Sequence, residues 1–263
     1  MADEVAAVLA LALRLAREAG AIQRARYETA FAVATKSSAI DLVTEVDGAC
    51  ERHLVEALRR ERPRDDILAE EGGAHADAGA EWRWVIDPLD GTVNFAHGYP
   101  CFCVSIGVER AGVRTVGAIY DPLRDEIFEA VRGGGARRNG RPIRVSEERD
   151  LGRALLGTGF AYDVRDSERD NLDLLGRAVK RAGGVRRDGS AALDLCYVAC
   201  GRFEGFWELK LHAWDVAAGL LVVEEAGGRT SDLAGGPAPA SGSEIVATNG
   251  RIHAQLLAVL QGS

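Results

Sequence analysis

The sequence predicts a mixed α and β fold, α+β over residues 1–150 and α/β over residues 151–263. Three features predict it: an amphipathic N-terminal segment, a series of short apolar runs separated by turns up to residue 131, and an alternation of strand-like and helix-like segments from residue 151 onward. No segment of flexible composition marks the boundary near residue 150. The two halves are therefore expected to share an interface and to form one compact unit.

The first half is expected to begin with a helix over residues 4–29, because its apolar residues recur at helical spacing. A second helix is expected to start near Asp47, whose carboxylate would face free amide groups there. Short strands are expected at residues 84–86, 103–109, 114–120 and 126–131. The first of these is expected to end at Asp87-Pro88, since proline has no amide proton for the sheet. The turn residues between the others predict antiparallel neighbours.

The second half is expected to alternate strands and helices. The expected strands are 154–157, 205–208 and 244–248, and the expected helices are 168–181, 190–200, 214–226 and a last one from residue 251. A stretch rich in Gly, Pro and Ala over residues 234–243 is expected to be a loop.

The composition excludes several classes of protein. A content of 47% hydrophobic and 27% charged residues is typical of a chain with a substantial core, which excludes a disordered protein. The net charge of −8 argues against a broad nucleic-acid-binding surface. The apolar stretch at residues 5–15 is too short to span a membrane, and five cysteines without CxxC spacing indicate reduced thiols. These features predict a cytoplasmic protein that does not associate with membranes.

Acidic residues are the most informative feature of the sequence. Seven of them fall at predicted turns or element ends: Asp41, Asp47, Glu70, Glu71, Asp87, Asp90 and Asp215. If they converge, their mutual repulsion requires cations between them. Oxygen ligands suit Mg²⁺, and none of the five histidines has the HxxxH spacing of a helical zinc site. The sequence therefore predicts a magnesium site.

The segment from Asp87 to Thr92 combines two carboxylates, a glycine and a hydroxyl on one tight loop. Taken alone, Asp-Pro-Leu-Asp-Gly-Thr is also compatible with an ordinary Asx-Pro turn. Gly91, however, would let an oxyanion approach the backbone amides. The loop is therefore a candidate for phosphate and metal binding.

Five motifs in order along the chain resemble those of the inositol monophosphatase family, in its bacterial form. WVIDPLDGTVNF at residues 84–95 resembles the first signature of the family, and WDVAAG at residues 214–219 resembles the second. Residues 41–47, Glu70-Glu71 and residues 189–193 also match in order and approximate spacing. The resemblance covers nearly the whole chain. It implies a layered αβαβα sandwich, a homodimer, and Mg²⁺-dependent hydrolysis of phosphate monoesters that lithium inhibits.

The resemblance also implies roles for single residues. One metal would be held by Glu70, Asp87 and the carbonyl of Leu89, and a second by Asp87, Asp90 and Asp215. A third, looser ion is known in some relatives near Glu70, with Asp41 or Glu71 in its outer shell. The implied catalytic residues are Thr92, Asp47 and Glu70. The implied substrate-binding residues are Asp90, Gly91, Thr92, Gly189, Ser190, Ala191, Glu208 and Asp215.

In this scheme Thr92, hydrogen-bonded to Asp47, orients the attacking water, while Glu208 accepts hydrogen bonds from substrate hydroxyls. A threonine hydroxyl alone is a poor base, so its use is as a relay to Asp47. Two further alternatives stay open. Lys210 is either solvated or adds a positive group near the substrate, and Arg186 and Arg187 either bind a second phosphate or form surface or dimer contacts.

Inositol 1-phosphate is the leading hypothesis for the substrate of this chain. Within the same family, fructose 1,6-bisphosphate, histidinol phosphate, NADP and a 3′-phosphoadenosine nucleotide remain alternatives, although the chain lacks the insertions of the nucleotide phosphatases. A different class of function, a scaffold on the transcription machinery, would be favoured by lost metal ligands. Every inner ligand position is filled, so catalysis is preferred.

Overall fold

A computed structural model describes residues 2–75 and 79–262 of the chain. Its helices are α1 (Ala2–Arg26), α2 (Glu45–Glu61), α3 (Thr92–Ala96), α4 (Leu172–Val179), α5 (Ala191–Ala199), α6 (Ala213–Glu225) and α7 (His253–Gln261), with a 3-10 turn at Leu151–Arg153. The strands of the first half are β1 (Val33–Thr35), β2 (Leu42–Thr44), β3 (Asp66–Ala69), β4 (Gly73–His75), β5 (Trp82–Asp90), β6 (Cys103–Arg110), β7 (Val113–Asp121), β8 (Glu126–Val131), β9 (Gly135–Arg138) and β10 (Arg141–Pro142). Those of the second half are β11 (Leu155–Thr158), β12 (Gly184–Arg186), β13 (Gly205–Leu209), β14 (Arg229–Ser231) and β15 (Glu244–Thr248).

The strands form two large sheets and one short hairpin. Eight strands pair in the order β10-β9-β8-β7-β6-β5-β3-β4, and five pair in the order β12-β11-β13-β15-β14. As predicted, β6, β7 and β8 are antiparallel neighbours. In the five-stranded sheet β11 is parallel to β12 and β13, whereas β15 is antiparallel to β13.

Helices and sheets alternate in five layers. Helices α1 and α2 pack on one face of the eight-stranded sheet, α5 and α6 lie between the two sheets, and α4 and α7 cover the outer face of the five-stranded sheet. Each helix layer is apolar where it meets a sheet, so burial of these faces holds the layers together. The predicted αβαβα sandwich is therefore confirmed.

The buried residues between the sheets come from both halves of the sequence. Ile119 and Phe128 of the first half belong to the same apolar cluster as Leu195 and Leu221 of the second. The division of the chain into two halves near residue 150 stays a prediction. The two halves share one continuous apolar core.

Two predicted elements differ from the structure by more than three residues at one end. Strand β5 does not end at Asp87-Pro88 but continues to Asp90, because a shift in its pairing with β6 removes Pro88 from the hydrogen-bond ladder. The carbonyl of Pro88 instead accepts a hydrogen bond of 2.8 Å from Gln23 Nε2. The helix predicted over residues 168–181 is shorter, since α4 starts only after Asn171, which has φ of +71°.

Within the described ranges, no helix combines the length and hydropathy needed to cross a membrane.

Candidate active site

A cleft of about 230 Å³ opens where the end of β5, the start of α6 and the loops around residues 36–41 and 159–162 meet. The predicted site residues that line it are Asp41, Glu70, Asp87, Leu89, Asp90, Gly91, Thr92, Gly189, Ala191, Glu208 and Asp215. Asp47, Glu71 and Ser190 do not line the cleft, but each bonds to a residue that does. The fold thus brings together residues from both halves of the sequence.

The irregular end of β5 places Asp87 and Asp90 toward the cleft. The amide of Leu89 donates to Asp87 Oδ1 at 2.9 Å, which fixes that carboxylate on its own loop. Gly91 follows with φ of +95°, and a Cβ there would lie 2.7 Å from the carbonyl oxygen of Cys101. Only glycine fits this position, and the chain can therefore turn directly from β5 into α3.

Asp90 is held by the start of α5. Ser190 Oγ and the amide of Ala192 donate to Asp90 Oδ2 at 2.6 and 2.8 Å. The same serine hydroxyl caps α5 by accepting from the amide of Leu193. Ser190 is 1% exposed, so the structure places it behind Asp90 and not on the cleft wall where substrate would lie.

Thr92 and Asp47 form the buried hydrogen bond that the sequence predicts. Thr92 Oγ1 donates to Asp47 Oδ1 at 2.7 Å, with the carbonyl of Leu89 as a second acceptor at 3.0 Å. The other oxygen of Asp47 accepts from the amide and hydroxyl of Thr44 at 2.8 and 2.6 Å, which forms the N-terminal capping box of α2. Helix capping therefore orients the carboxylate toward Thr92.

Asp215 lies in the first turn of α6. The amide of His212, the residue before the helix, donates to Asp215 Oδ2 at 2.6 Å. This bond fixes the carboxylate at the start of α6, where Asp215 lines the cleft.

Burial, together with the charge of neighbouring carboxylates, raises the pKa of three acidic residues of the cleft. Burial raises the pKa of Asp90 to about 7, and the nearby charge of Asp215 adds to the effect. Burial also raises the pKa of Glu70 to about 7, although Lys36 opposes the shift. The pKa of Asp87 is raised well above its ordinary value by burial and by Glu70, Asp90 and Asp215. A bound cation would relieve this repulsion.

The donor atoms fit a hard divalent cation. Each of Asp87, Asp90 and Asp215 uses one carboxylate oxygen for protein donors and leaves the other without a donor from the described residues. Glu70 likewise uses only Oε1. All four residues line the same cleft, and carboxylate oxygens are the ligands that suit Mg²⁺. In the described part of the chain, no three of these side chains already surround one point at metal-binding distance.

Lys36 is a site residue that sequence reasoning missed. Its ammonium group donates to Glu70 Oε1 at 2.8 Å and also pairs with Glu71. In the sequence Lys36 stands six residues before the start of β2. That position does not indicate that Lys36 pairs with Glu70, which follows it by 34 residues. Lys36 partly balances the charge at this end of the cleft.

Glu208 lies at the other end of the cleft. It is 8% exposed and accepts no hydrogen bond from the described residues, and burial raises its pKa to about 8, with Asp215 and Asp90 contributing. A Cβ on Gly159 would lie 2.2 Å from Glu208 Oε1, so the carboxylate needs a glycine beside it. Gly159 was also missed, because its role depends on β11 lying parallel to β13.

The rim near Glu208 carries aromatic and basic side chains. Phe160, Tyr162, Arg187 and Lys210 all line the cleft. Lys210 donates to Asp163 Oδ2 and Ser167 Oγ, both at 2.6 Å, so it is neither free nor simply solvated.

Comparison with known proteins gives a consistent result over nearly the full length. A model of the inositol monophosphatase family matches residues 4–263. A Pseudomonas aeruginosa protein named Nus factor SuhB is 45% identical over 261 residues, which cover 97% of this chain and 96% of the relative. The inositol-1-monophosphatase of Synechocystis is 47% identical over 221 residues, or 84% of this chain and 77% of the relative.

Solved structures are similar in fold as well. The inositol monophosphatase of Anabaena superposes with a TM-score of 0.89 at 43% identity and covers 98% of this chain and 97% of its own. A structure described as an IMPase/NADP phosphatase complexed with Mg²⁺ and phosphate has a TM-score of 0.80 at 25% identity, with 89% and 87% covered.

Proposed function

The chain belongs to the inositol monophosphatase family, and on this premise we propose that it is a Mg²⁺-dependent phosphomonoesterase that hydrolyses inositol 1-phosphate to inositol and phosphate. The observation that carries the proposal is the convergence of four carboxylates, each with a free oxygen, beside the hydrogen-bonded pair of Thr92 and Asp47. The similar structure with Mg²⁺ and phosphate supports the choice of metal.

Glu70, Asp87 and the carbonyl of Leu89 would hold one ion, and Asp87, Asp90 and Asp215 a second. A third ion near Glu70 would have Asp41 or Glu71 in its outer shell. Bound Mg²⁺ would screen the phosphate dianion and acidify water.

Thr92 orients the attacking water in this proposal. The hydroxyl proton of Thr92 lies between Asp47 Oδ1 and the carbonyl of Leu89, so a lone pair of Oγ1 can accept a hydrogen bond from water. As the water gives its proton to Oγ1, the hydroxyl proton of Thr92 passes to Asp47, and the water attacks phosphorus as hydroxide. The amides of Gly91 and Thr92 lie at the start of α3, where the first amides of a helix have no partner within it, and they would donate to phosphate oxygens.

The alcohol part of the substrate would lie between Glu208 and the start of α5. Gly189 and Ala191 line the cleft there and leave room for a ring, and Glu208 would bind ring hydroxyls. We assign Ser190 an indirect role, since its hydroxyl is already bonded to Asp90.

The test of the reaction is phosphate release from a panel of monoesters, with and without Mg²⁺, by the wild type and Asp87→Asn. We expect Mg²⁺-dependent release by the wild type and none by the variant, because Asp87 would contact both ions. Cooperative melting of the variant is the control for folding. Full turnover in excess chelator, or by Asp87→Asn, would reject the two-metal proposal.

Substrate choice is tested with Glu208→Gln. The comparison is made at about pH 9, above the Glu208 pKa of about 8, so that the carboxylate is charged. An amide keeps the size but replaces part of the acceptor capacity, and hydrogen bonds to charged groups contribute about 1.5–3 kcal/mol. We expect a raised KM for inositol 1-phosphate and little change for a phosphate ester whose alcohol lacks ring hydroxyls. Equal losses on both would mean that Glu208 supports the site structurally, and the other monoesters named above would then be the stronger candidates.

The homodimer, the inhibition by lithium and the cytoplasmic location belong to the same proposal. Light scattering of the purified protein and a lithium titration of its phosphatase activity test the first two.

A scaffold role on the transcription machinery is a second candidate, because relatives such as that of Pseudomonas aeruginosa are named Nus factor. It does not require the catalytic carboxylates. Binding of purified RNA polymerase by Asp87→Asn at wild-type affinity would support it, and no binding by either protein would exclude it.

A further inference from the structure

The connection between β11 and α4, from Gly159 to Asn171, is described in full and contains neither helix nor strand. Its first residues, Gly159, Phe160, Ala161 and Tyr162, line the cleft. The side chain of Asn171 donates from Nδ2 to the carbonyl of Gly159 at 2.7 Å. One side chain therefore joins the last residue of the connection to its first, as in loops whose ends lie close together.

The side-chain amide of Asn171 has buried partners for its oxygen and its nitrogen. Nδ2 donates to Thr158 Oγ1 at 2.9 Å, and Oδ1 accepts from Trp207 Nε1 at 2.8 Å. Thr158 Oγ1 in turn donates to the carbonyl of Trp207 at 2.8 Å. Since an indole only donates and a carbonyl only accepts, the orientation of the amide is fixed. Asparagine also tolerates the φ of +71° at this position.

This network surrounds the place where Glu208 meets Gly159. Thr158 precedes Gly159 and Trp207 precedes Glu208, and the two preceding residues are paired across the parallel strands β11 and β13. Glu208 accepts no hydrogen bond from the described residues, and its Oε1 lies 2.2 Å from the point that a Cβ on Gly159 would occupy. Contact with Gly159 therefore limits where the carboxylate can lie. Asn171 is not among the described residues that line the cleft, so it acts on the cleft through Gly159.

We propose that Asn171 is a positioning residue, which holds Gly159 against Glu208 and thereby sets the affinity of the cleft for polyol hydroxyls. The inference rests on the proposed phosphatase function and names a residue that lies outside all five sequence motifs.

Asn139, in the turn between β9 and β10, provides a matched control. It also has a positive φ, of +51°. Its side chain accepts from the amide of Ile127 at 2.8 Å and donates to the carbonyl of Asp125 at 2.9 Å. It is not among the described residues of the cleft wall. Replacing it removes a comparable set of hydrogen bonds at a distance from Glu208.

The test compares inositol 1-phosphate with 4-nitrophenyl phosphate, whose alcohol has no ring hydroxyl to bind, under the conditions used for Glu208→Gln. Asn171→Gly keeps the backbone conformation accessible and removes the hydrogen bonds of the amide. We expect it to raise KM for inositol 1-phosphate about tenfold, because a displaced Glu208 loses part of its charge-assisted bonds. The kcat for this substrate and the KM for 4-nitrophenyl phosphate should change less than about twofold.

Three further variants separate positioning from general destabilisation. Asn171→Asp keeps the acceptor for Trp207 but loses both donors, so it should resemble Asn171→Gly, and it serves as the second variant if the glycine variant does not fold. Asn139→Gly should change KM for neither ester. In a Glu208→Gln background, Asn171→Gly should have little further effect on KM, since it acts through Glu208. Cooperative melting is the control for folding of each variant.

Hydrogen exchange gives a readout without turnover. Residues 158–162 should exchange faster in both Asn171 variants than in the wild type, and Asn139→Gly should leave their exchange unchanged. Unchanged exchange in the Asn171 variants, equal losses on both esters, or an undiminished effect of Asn171→Gly in the Glu208→Gln background would overturn the role of Asn171. If the wild type hydrolysed no monoester, the proposed function would be rejected instead. The Kd of myo-inositol, measured by NMR titration, would then decide the role of Asn171, which stands only if Asn171→Gly raises that Kd about tenfold.

Discussion

Thr92 and Asp47 are 45 residues apart in sequence, yet one hydrogen bond of 2.7 Å joins them. The sequence predicts this pair only through the family resemblance, because spacing alone says nothing about which aspartate meets which hydroxyl. The structure adds the reason for the geometry. Asp47 is held by its own helix cap at Thr44, so its position is set before any substrate arrives.

Thr92→Ala should lower kcat much more than it changes the affinity for Mg²⁺, since the metal would be held by carboxylates and a carbonyl. Loss of a positioned proton-transfer group typically costs about 10²–10⁴-fold in rate. Thr92→Ser, which keeps the hydroxyl, is the matched control and should retain most of the activity. Steady-state kinetics with a Mg²⁺ titration separates the two effects, and an unchanged kcat in the alanine variant would place water activation elsewhere.

Residues whose roles depend on tertiary contacts could not be predicted. Glu208 was predicted as a substrate ligand, but nothing in the sequence shows that Gly159 must lack a side chain to leave room for it. The pairing of Lys36 with Glu70 and Glu71 was missed for the same reason, although both glutamates were predicted site residues. Residues within one motif, such as Asp87, Asp90 and Gly91, were predictable because neighbours on a tight loop remain neighbours in the fold.

Helix α6 shows how a motif can combine chemistry and packing. Its first turn carries Asp215, but the glycine of the same WDVAAG motif lies against α5, where a Cβ on Gly219 would be 2.5 Å from Leu195 Cδ1. On its other side α6 crosses two strand glycines, and a Cβ on Gly107 would be 2.7 Å from Ala217 Cβ. Close packing on both sides fixes the helix that presents Asp215 to the cleft.

Gly219→Ala should destabilise the protein, because the added methyl group must displace α5 from α6. Overpacking of this kind costs about 1–3 kcal/mol, which for a chain of this size lowers Tm by roughly 2–12 °C. Gly176→Ala in α4 is the control, since nothing lies within 4 Å of its Cβ position. It should leave Tm unchanged or raise it, because alanine favours helix. Calorimetry of both variants tests the prediction, and an equal response would contradict the packing role of Gly219.

The fold class and most element positions followed from sequence patterns, whereas the layer order did not. Periodicity predicted α1, β6, β7 and β8, since each has a clear apolar face. The elements it missed include the three-residue strands β1, β12 and β14, which are too short to show a period. The order of the layers came from the family resemblance, because amphipathic faces do not identify their partners.

The cleft makes the stability of the whole molecule depend on pH. Glu70 and Asp90 have a pKa of about 7 when folded, against ordinary values of 4.5 and 3.8. At a pH between the ordinary and the folded pKa, the folded state binds more protons than the unfolded state. The free energy of unfolding that Glu70 and Asp90 contribute therefore falls as the pH rises from about 4.5 to about 7. His253 acts in the opposite direction, because burial lowers its pKa to about 4 and its contribution to stability grows toward pH 6.5.

Mg²⁺ should therefore raise Tm more at pH 8 than at pH 5.5, since the cation competes with protons for the same oxygens. A ligand at about 100 times its Kd adds about 2.7 kcal/mol of stability, enough to shift Tm by several degrees. The measurement is Tm with saturating Mg²⁺ minus Tm in chelator at each pH, in which the contribution of the remote His253 cancels. Asp87→Asn is the control, and its Tm should shift little with Mg²⁺. In chelator at pH 8 this variant should have a higher Tm than the wild type, because one of the mutually repelling carboxylates is gone. A Mg²⁺-induced shift that is equal at the two pH values, or larger at pH 5.5, would mean that the ion does not bind to these carboxylates.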